Sequence, residues 1–178
     1  MKTEFENKLK ERGFSYQRHS DDFYILSRND EVGCKIKVQF ISAEPRLEVL
    51  RMSNNGNKLQ AVGSFKLKLM NMTEGSDIFI FAFENTINQC VEFIIISSKE
   101  FNRRLIESYR ILRDNHVLNI VFWLLADGHN DNKLYETTDV GIEWEWFFLS
   151  KGEKGRMIDN TDLDYTEYLN NWDKLKMI

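Results

Sequence analysis

The cations of this chain are the first groups whose type and spacing suggest chemistry. Lys66 and Lys68 stand two apart, and Arg103, Arg104, Arg110 and Arg113 follow one another along a single stretch. At helical spacing Arg103, Arg110 and Arg113 fall on related faces, and such a row of guanidinium groups can neutralise a nucleic-acid backbone. The same row also serves as the solvent side of a helix. Trp144, Trp146, Phe147 and Phe148 form an aromatic cluster able to stack bases, but Glu143 and Glu145 sit among them. Core packing or a protein interface is the commoner use of such a cluster.

Other chemistries are excluded by spacing. His19, His116 and His129 are scattered, and no Cys-x-x-Cys or His-Glu-x-x-His string occurs, so a zinc site is not expected. The polar run Asp127 to Asn132 lacks the sixth-position Gly and twelfth-position Glu of a calcium loop and is expected to be a connecting turn. Nine glycines form neither of the familiar phosphate-cradling loops. Cys34 and Cys90 lie in separate strand-like runs, too few for a disulfide framework, which fits a reducing, cytoplasmic setting. The opening MKTEFENKLK alternates charged and apolar residues where a signal peptide would be continuously apolar. No apolar run approaches the roughly 20 residues of a membrane helix. Lys and Arg number 24 against 28 Asp and Glu, a net charge of −4 that excludes a globally basic nucleic-acid coat while allowing a local basic groove.

The elements that must position these groups follow from periodicity. The chain has 178 residues and is 42% apolar, which fills one core, so residues 1–178 are expected to form a single domain. Phe5 and Leu9, four apart and followed by Gly13, predict a helix over Lys2 to Arg12. Strands are predicted over Phe14 to Arg18, Asp22 to Ser27 and Cys34 to Ser42. In the last, Ile36, Val38 and Phe40 face one way and Lys35, Lys37, Gln39 and Ile41 the other. Arg46 to Met52 and Phe65 to Met70 predict short strands around Ser53 to Gly63, read as a turn with a short helix. Asp77 to Glu84 and Cys90 to Ser97 are nearly continuous apolar runs, the mark of strands covered on both faces, and are expected at the middle of the sheet. Ser97 and Glu100 have capping-box spacing. Phe101, Leu105, Tyr109 and Leu112 then continue a helix to Asp114. Val117 to Ala126 and Trp144 to Leu149 predict further strands, and Asp164 to Lys176 a closing amphipathic helix. The expectation is an α+β (α/β-like) fold with a single mixed central sheet flanked by helices.

A leading helix, a short strand, an Asp-initiated strand (DDFYIL) and a Gln-bearing strand (KIKVQFIS) together resemble the restriction-endonuclease-like fold of the PD-(D/E)XK nuclease superfamily. DIFIFAFE followed by CVEFIIISSKEF resembles the strand, turn, strand and helix that follow the catalytic core in small members. YLNNWDKL is similar to their closing helix. In that family an acid opens one strand, and an acid or Gln followed two positions later by Lys lies on the next. The resemblance places these roles at Asp22 and Gln39, and position 41 holds Ile where the family has Lys.

A metal-dependent nuclease needs two or three oxygen ligands for Mg²⁺ or Mn²⁺ and a cation to position water and balance charge. On this reading Asp22, Gln39 and Glu6 hold the metal (Glu4 being the alternative to Glu6 on that helix), Lys37 replaces the missing Lys, and Arg103, Arg110 and Arg113 bind DNA. The plain reading stands beside it: Asp22 caps a turn, Gln39 satisfies edge groups, and Lys35 and Lys37 form a solvated face. Two functions are therefore expected. One is a nuclease-like, catalytically impaired DNA-interacting protein in defence or DNA repair. The other is a non-catalytic module on the same fold whose partner is a protein, as in an accessory, inhibitor or immunity protein.

Overall fold

A computed structural model describes residues 1–28, 35–42, 49–51, 58–68, 75–85, 89–108, 117–126, 133–138 and 164–176. The chain opens with helix α1 (Lys2–Glu11), whose Phe5 and Leu9 are fully buried. Gly13, at φ +77°, makes the turn into the first strand, a backbone conformation that residues bearing a Cβ resist. Strands β1 (Phe14–Arg18), β2 (Phe23–Arg28) and β3 (Ile36–Ser42) form an antiparallel meander. Two strands, β4 (Val49–Arg51) and β5 (Lys58–Lys68), then leave this sheet, so the stretch read as turn and short helix is partly strand. The chain returns as β6 (Ile78–Asn85), parallel to β3, and β7 (Cys90–Ser97), antiparallel to β6. Asp77 locks the start of the parallel pair: its Oδ2 accepts the Lys37 N–H at 2.8 Å, and its own N–H donates to the Lys37 carbonyl at 2.8 Å.

Helix α2 (Ser98–Ser108) follows directly, capped as its spacing predicts: the Glu100 N–H donates to Ser97 Oγ at 3.2 Å. Phe101 carries its packing against β6. Strand β8 (Val117–Ala126) matches its predicted limits, and β9 (Lys133–Thr138) has no counterpart in the sequence reading. The fold is α+β, and its mixed sheet, in the order β1-β2-β3-β6-β7, stands beside a second, antiparallel sheet in the order β4-β5-β8-β9. Among the described residues no helix is long and apolar enough to cross a membrane.

The mixed sheet is covered on both faces, which accounts for the continuous apolar runs. Ile78, Ile80 and Ala82 of β6 join Phe5, Leu9, Val38, Phe40 and Phe93 under α1. Phe79, Phe81 and Phe83 join Phe101 of α2 and Phe65 and Phe122 of the second sheet, with Phe65 and Phe81 rings 5.2 Å apart, edge to face. Burial on both faces does not make a strand central: β7 is an edge, not the middle.

In place of a closing helix, Thr166–Tyr168 and Trp172–Lys176 form two short 3₁₀ turns. Between them Asn170 adopts a left-handed backbone, φ 51°. Tyr165 and Tyr168 pack into the α2 side of the core and Trp172 and Leu175 into the α1 side, so the segment wraps around the β7 edge. A continuous helix would keep these residues on one stripe and could not reach both faces.

Candidate functional site

The residues assigned to a metal site do not share a face. Asp22 lies in the β1–β2 turn, and its carbonyl accepts the Phe40 N–H at 2.7 Å, extending the β2–β3 ladder by one position. Cross-strand partners point the same way, and Phe40 is buried under α1, so Asp22 is on the α1 side. Its carboxylate is exposed and pairs with Lys2 of α1 at 3.3 Å. Gln39, opposite Phe23, points to the other face with Lys37 and Ile41. Glu6 is on the α1 side, accepting the Tyr16 and Tyr24 hydroxyls at 3.1 and 3.2 Å. Burial, and then the Glu6 charge, push the Tyr24 phenol up to about 12. The strand alternation thus joins Gln39 with Lys37, joins Asp22 with Glu6 only in the sense of a common face, and sets the two pairs on opposite sides of the sheet. Among the described residues no group of three or more His, Cys, Asp or Glu is arranged to hold a metal.

Ile41 packs against the aromatic cluster of β6, α2 and the second sheet. That contact is a packing reason for an apolar residue at position 41.

The arginines of α2 are held by acids. Arg103 donates to Glu100 through Nε at 2.9 Å and Nη2 at 2.7 Å. Arg104, its side chain 7% exposed, donates to Glu100 at 2.8 Å, to the Asp164 carbonyl at 2.7 Å and to the Tyr168 hydroxyl at 3.1 Å. Its guanidinium also lies over the Tyr165 and Tyr168 rings, 5.0 and 4.8 Å from their centroids. These bonds, Arg103 first, hold the Glu100 carboxyl at about 2, although burial opposes them. Arg104 is therefore a structural tie between α2 and the C-terminal segment. Arg110, Arg113 and the aromatic cluster 144–148 lie outside the described residues, as do the Lys66 and Lys68 side chains.

The feature that sequence reasoning missed is the open end of β7. Phe93 turns its N–H and C=O outward, where Asn170 meets both: the N–H donates to Asn170 Oδ1 at 3.0 Å and the carbonyl accepts the Asn170 N–H at 2.7 Å. Two residues earlier, Val91 points its own pair the same way, and among the described residues no hydrogen bond reaches it. Beside it opens a cleft of about 580 Å³, walled by Glu4 and Lys8 of α1, by Arg12 just after it and by Trp172, with Val91 and Glu92 of β7 in its lining. Arg12 stacks its guanidinium 5.1 Å from the Trp172 ring.

Glu92 is 6% exposed, on the face opposite α1. Its Oε1 accepts a weak hydrogen bond from the Cys90 thiol at 3.8 Å, and its Oε2 is enclosed, without solvent contact. Burial pushes its carboxyl up, against opposing hydrogen bonds from Asn85 and Cys90. Burial and then the Glu92 charge push the exposed Cys90 thiol up as well, which lowers its thiolate fraction. The signal for Glu92 was present in the sequence: one acid inside a run read as covered on both faces must be buried with partners or awaiting one. Comparison with protein-family models, curated proteins and solved structures finds no match to this chain.

Proposed function

We propose that this chain is a non-catalytic protein-interaction module on a restriction-endonuclease-like arrangement, docking its partner at the open end of β7. The observation that carries this reading is a Val91 N–H and C=O that no described residue meets, at a sheet edge beside a preformed cleft, the geometry that strand addition uses. The element orders α1-β1-β2-β3 and β6-β7-α2 support the arrangement that the resemblance implies. Separation of Asp22 from Gln39 across the sheet, with Ile41 packed half-buried against the core, supports the absence of catalysis, because one ion needs its ligands within about 2.1 Å of itself.

Incubation with supercoiled, linear and single-stranded DNA in Mg²⁺ and Mn²⁺ tests the reading. No turnover is expected from the native chain or from Asp22→Ala. Metal-dependent cleavage by the native chain that disappears in Asp22→Ala would overturn the proposal in favour of the nuclease.

A further inference from the structure

Glu4, Lys8 and Arg12 stand four residues apart in one stripe along α1 and its C-cap, and this stripe walls the cleft on the face toward which Val91 is turned. Its charge is uneven. Glu4 is about 12 Å of helix rise from Arg12, so the stripe changes from acid to cation toward Trp172. Lys8 is paired with exposed Glu11 at 3.2 Å, while the Arg12 guanidinium has no hydrogen-bond acceptor or ion-pair partner among the described residues. Asp173, the acid next to Trp172, is engaged by Lys176 at 2.6 Å.

What separates Arg12 from an ordinary surface cation is its platform. Trp172 is buried, with the Phe5 ring stacked 6.2 Å away and the Phe93 ring edge-on at 5.3 Å, and the Arg12 guanidinium lies 5.1 Å from the Trp172 ring. Stacking holds the guanidinium by its face and leaves the N–H donors at its edge, the arrangement that receives a carboxylate in two parallel bonds. The open backbone pair of Val91 fixes where such a group would come from. In an added strand the residue paired with Val91 is turned the same way as Val91 itself, toward the α1 face and its stripe.

We propose that the partner segment added at Val91 carries an acidic residue, glutamate or aspartate, at the position opposite Val91, and that Arg12, with Lys8 beside it, receives its carboxylate. This rests on the interaction-module reading and adds to it the chemistry of the partner. The net charge of −4 belongs to the whole chain and is screened beyond about 8 Å at physiological salt, so the cations within the cleft decide which side chain enters.

The test uses the full-length chain, labelled with ¹⁵N, titrated with the capped peptide Thr-Val-Glu-Val-Thr. Its control arms replace Glu by Gln or N-methylate the strand backbone. The Val91 amide and the Trp172 indole N–H resonances should shift saturably with the Glu peptide. The Gln peptide should bind about fivefold more weakly at low salt, the upper range for a solvent-facing ion pair, and the ratio should fall toward one in about 1 M salt. Arg12→Gln, whose fold is checked by its melting curve, should bring the Glu peptide down to the Gln level, and N-methylation should abolish the Val91 shift. Equal binding of the Glu and Gln peptides with the Val91 shift intact, or a preference for Glu that survives in Arg12→Gln, would overturn the acidic-residue assignment and leave strand addition standing. No shift at Val91 with any peptide would overturn the docking site itself, while the non-catalytic reading is decided separately by the cleavage assay.

Discussion

Replacing Arg104 by methionine removes a side chain that is 7% exposed and joins α2 to the C-terminal segment. Methionine retains much of the stem's apolar contact, so the loss is concentrated in the guanidinium's bonds to Glu100, Asp164 and Tyr168 and its stacking on two rings. Breaking a buried ion pair from one side costs about 3 to 5 kcal/mol, and Glu100 is 29% exposed and keeps Arg103, so about 3 kcal/mol is the expected loss. Urea denaturation should show it as a lower midpoint at unchanged slope. The deficit must also depend on pH. Glu100 is held at about 2, below its ordinary 4.5, so its contribution is present above pH 4.5 and is lost as pH falls toward 2. At about 1.4 kcal/mol per pH unit, and after screening at half-exposed Arg103, that contribution is about 2 kcal/mol, only part of it owed to Arg104. The gap between the native chain and Arg104→Met should therefore narrow between pH 4.5 and pH 2. A loss below about 0.5 kcal/mol, the range of a surface pair, or a gap constant across that interval, would refute the network as a structural tie.

Three further outcomes are expected. Ile41→Lys introduces the residue that the resemblance implies at this position but drives an ammonium toward the aromatic cluster, so stability should fall by about 2 kcal/mol or more while metal-dependent cleavage stays absent; a gain of cleavage would contradict the face assignment. Glu92→Gln should raise stability at neutral pH by about 1 kcal/mol, since an acid whose folded pKa is raised loses stability as pH rises through that interval. Melting curves should converge with the native chain at low pH, and a variant less stable at pH 7 would count against a net cost of burying this carboxylate. Phe81→Ala empties a fully buried site between the two sheets and should cost about 3 to 5 kcal/mol in chemical denaturation; a loss near 1 kcal/mol would mean the sheets are not packed there.

Local pattern alone determined much of the framework. Phe5 and Leu9 before Gly13 set α1, the alternation of Ile36, Val38 and Phe40 set the faces of β3, and Ser97 with Glu100 set the start of α2. The same alternation already divided Lys37 and Gln39 from their neighbours. Such signals are legible because helix and strand periods are properties of a few consecutive residues. What the sequence could not carry is which strand neighbours which. An apolar run reports coverage of two faces and says nothing of the edges, so β7 reads like a central strand although, among the described residues, its side is open at Val91. Likewise, the face taken by Asp22 depends on its ladder position opposite Phe40, a contact between distant residues, and this placed it away from Gln39. Tyr165, Tyr168 and Trp172 are spaced as on a helix, yet the sheet offers apolar surface on both sides of its edge. Burial against those two faces outweighs the helical stripe, and only tertiary packing decides that competition.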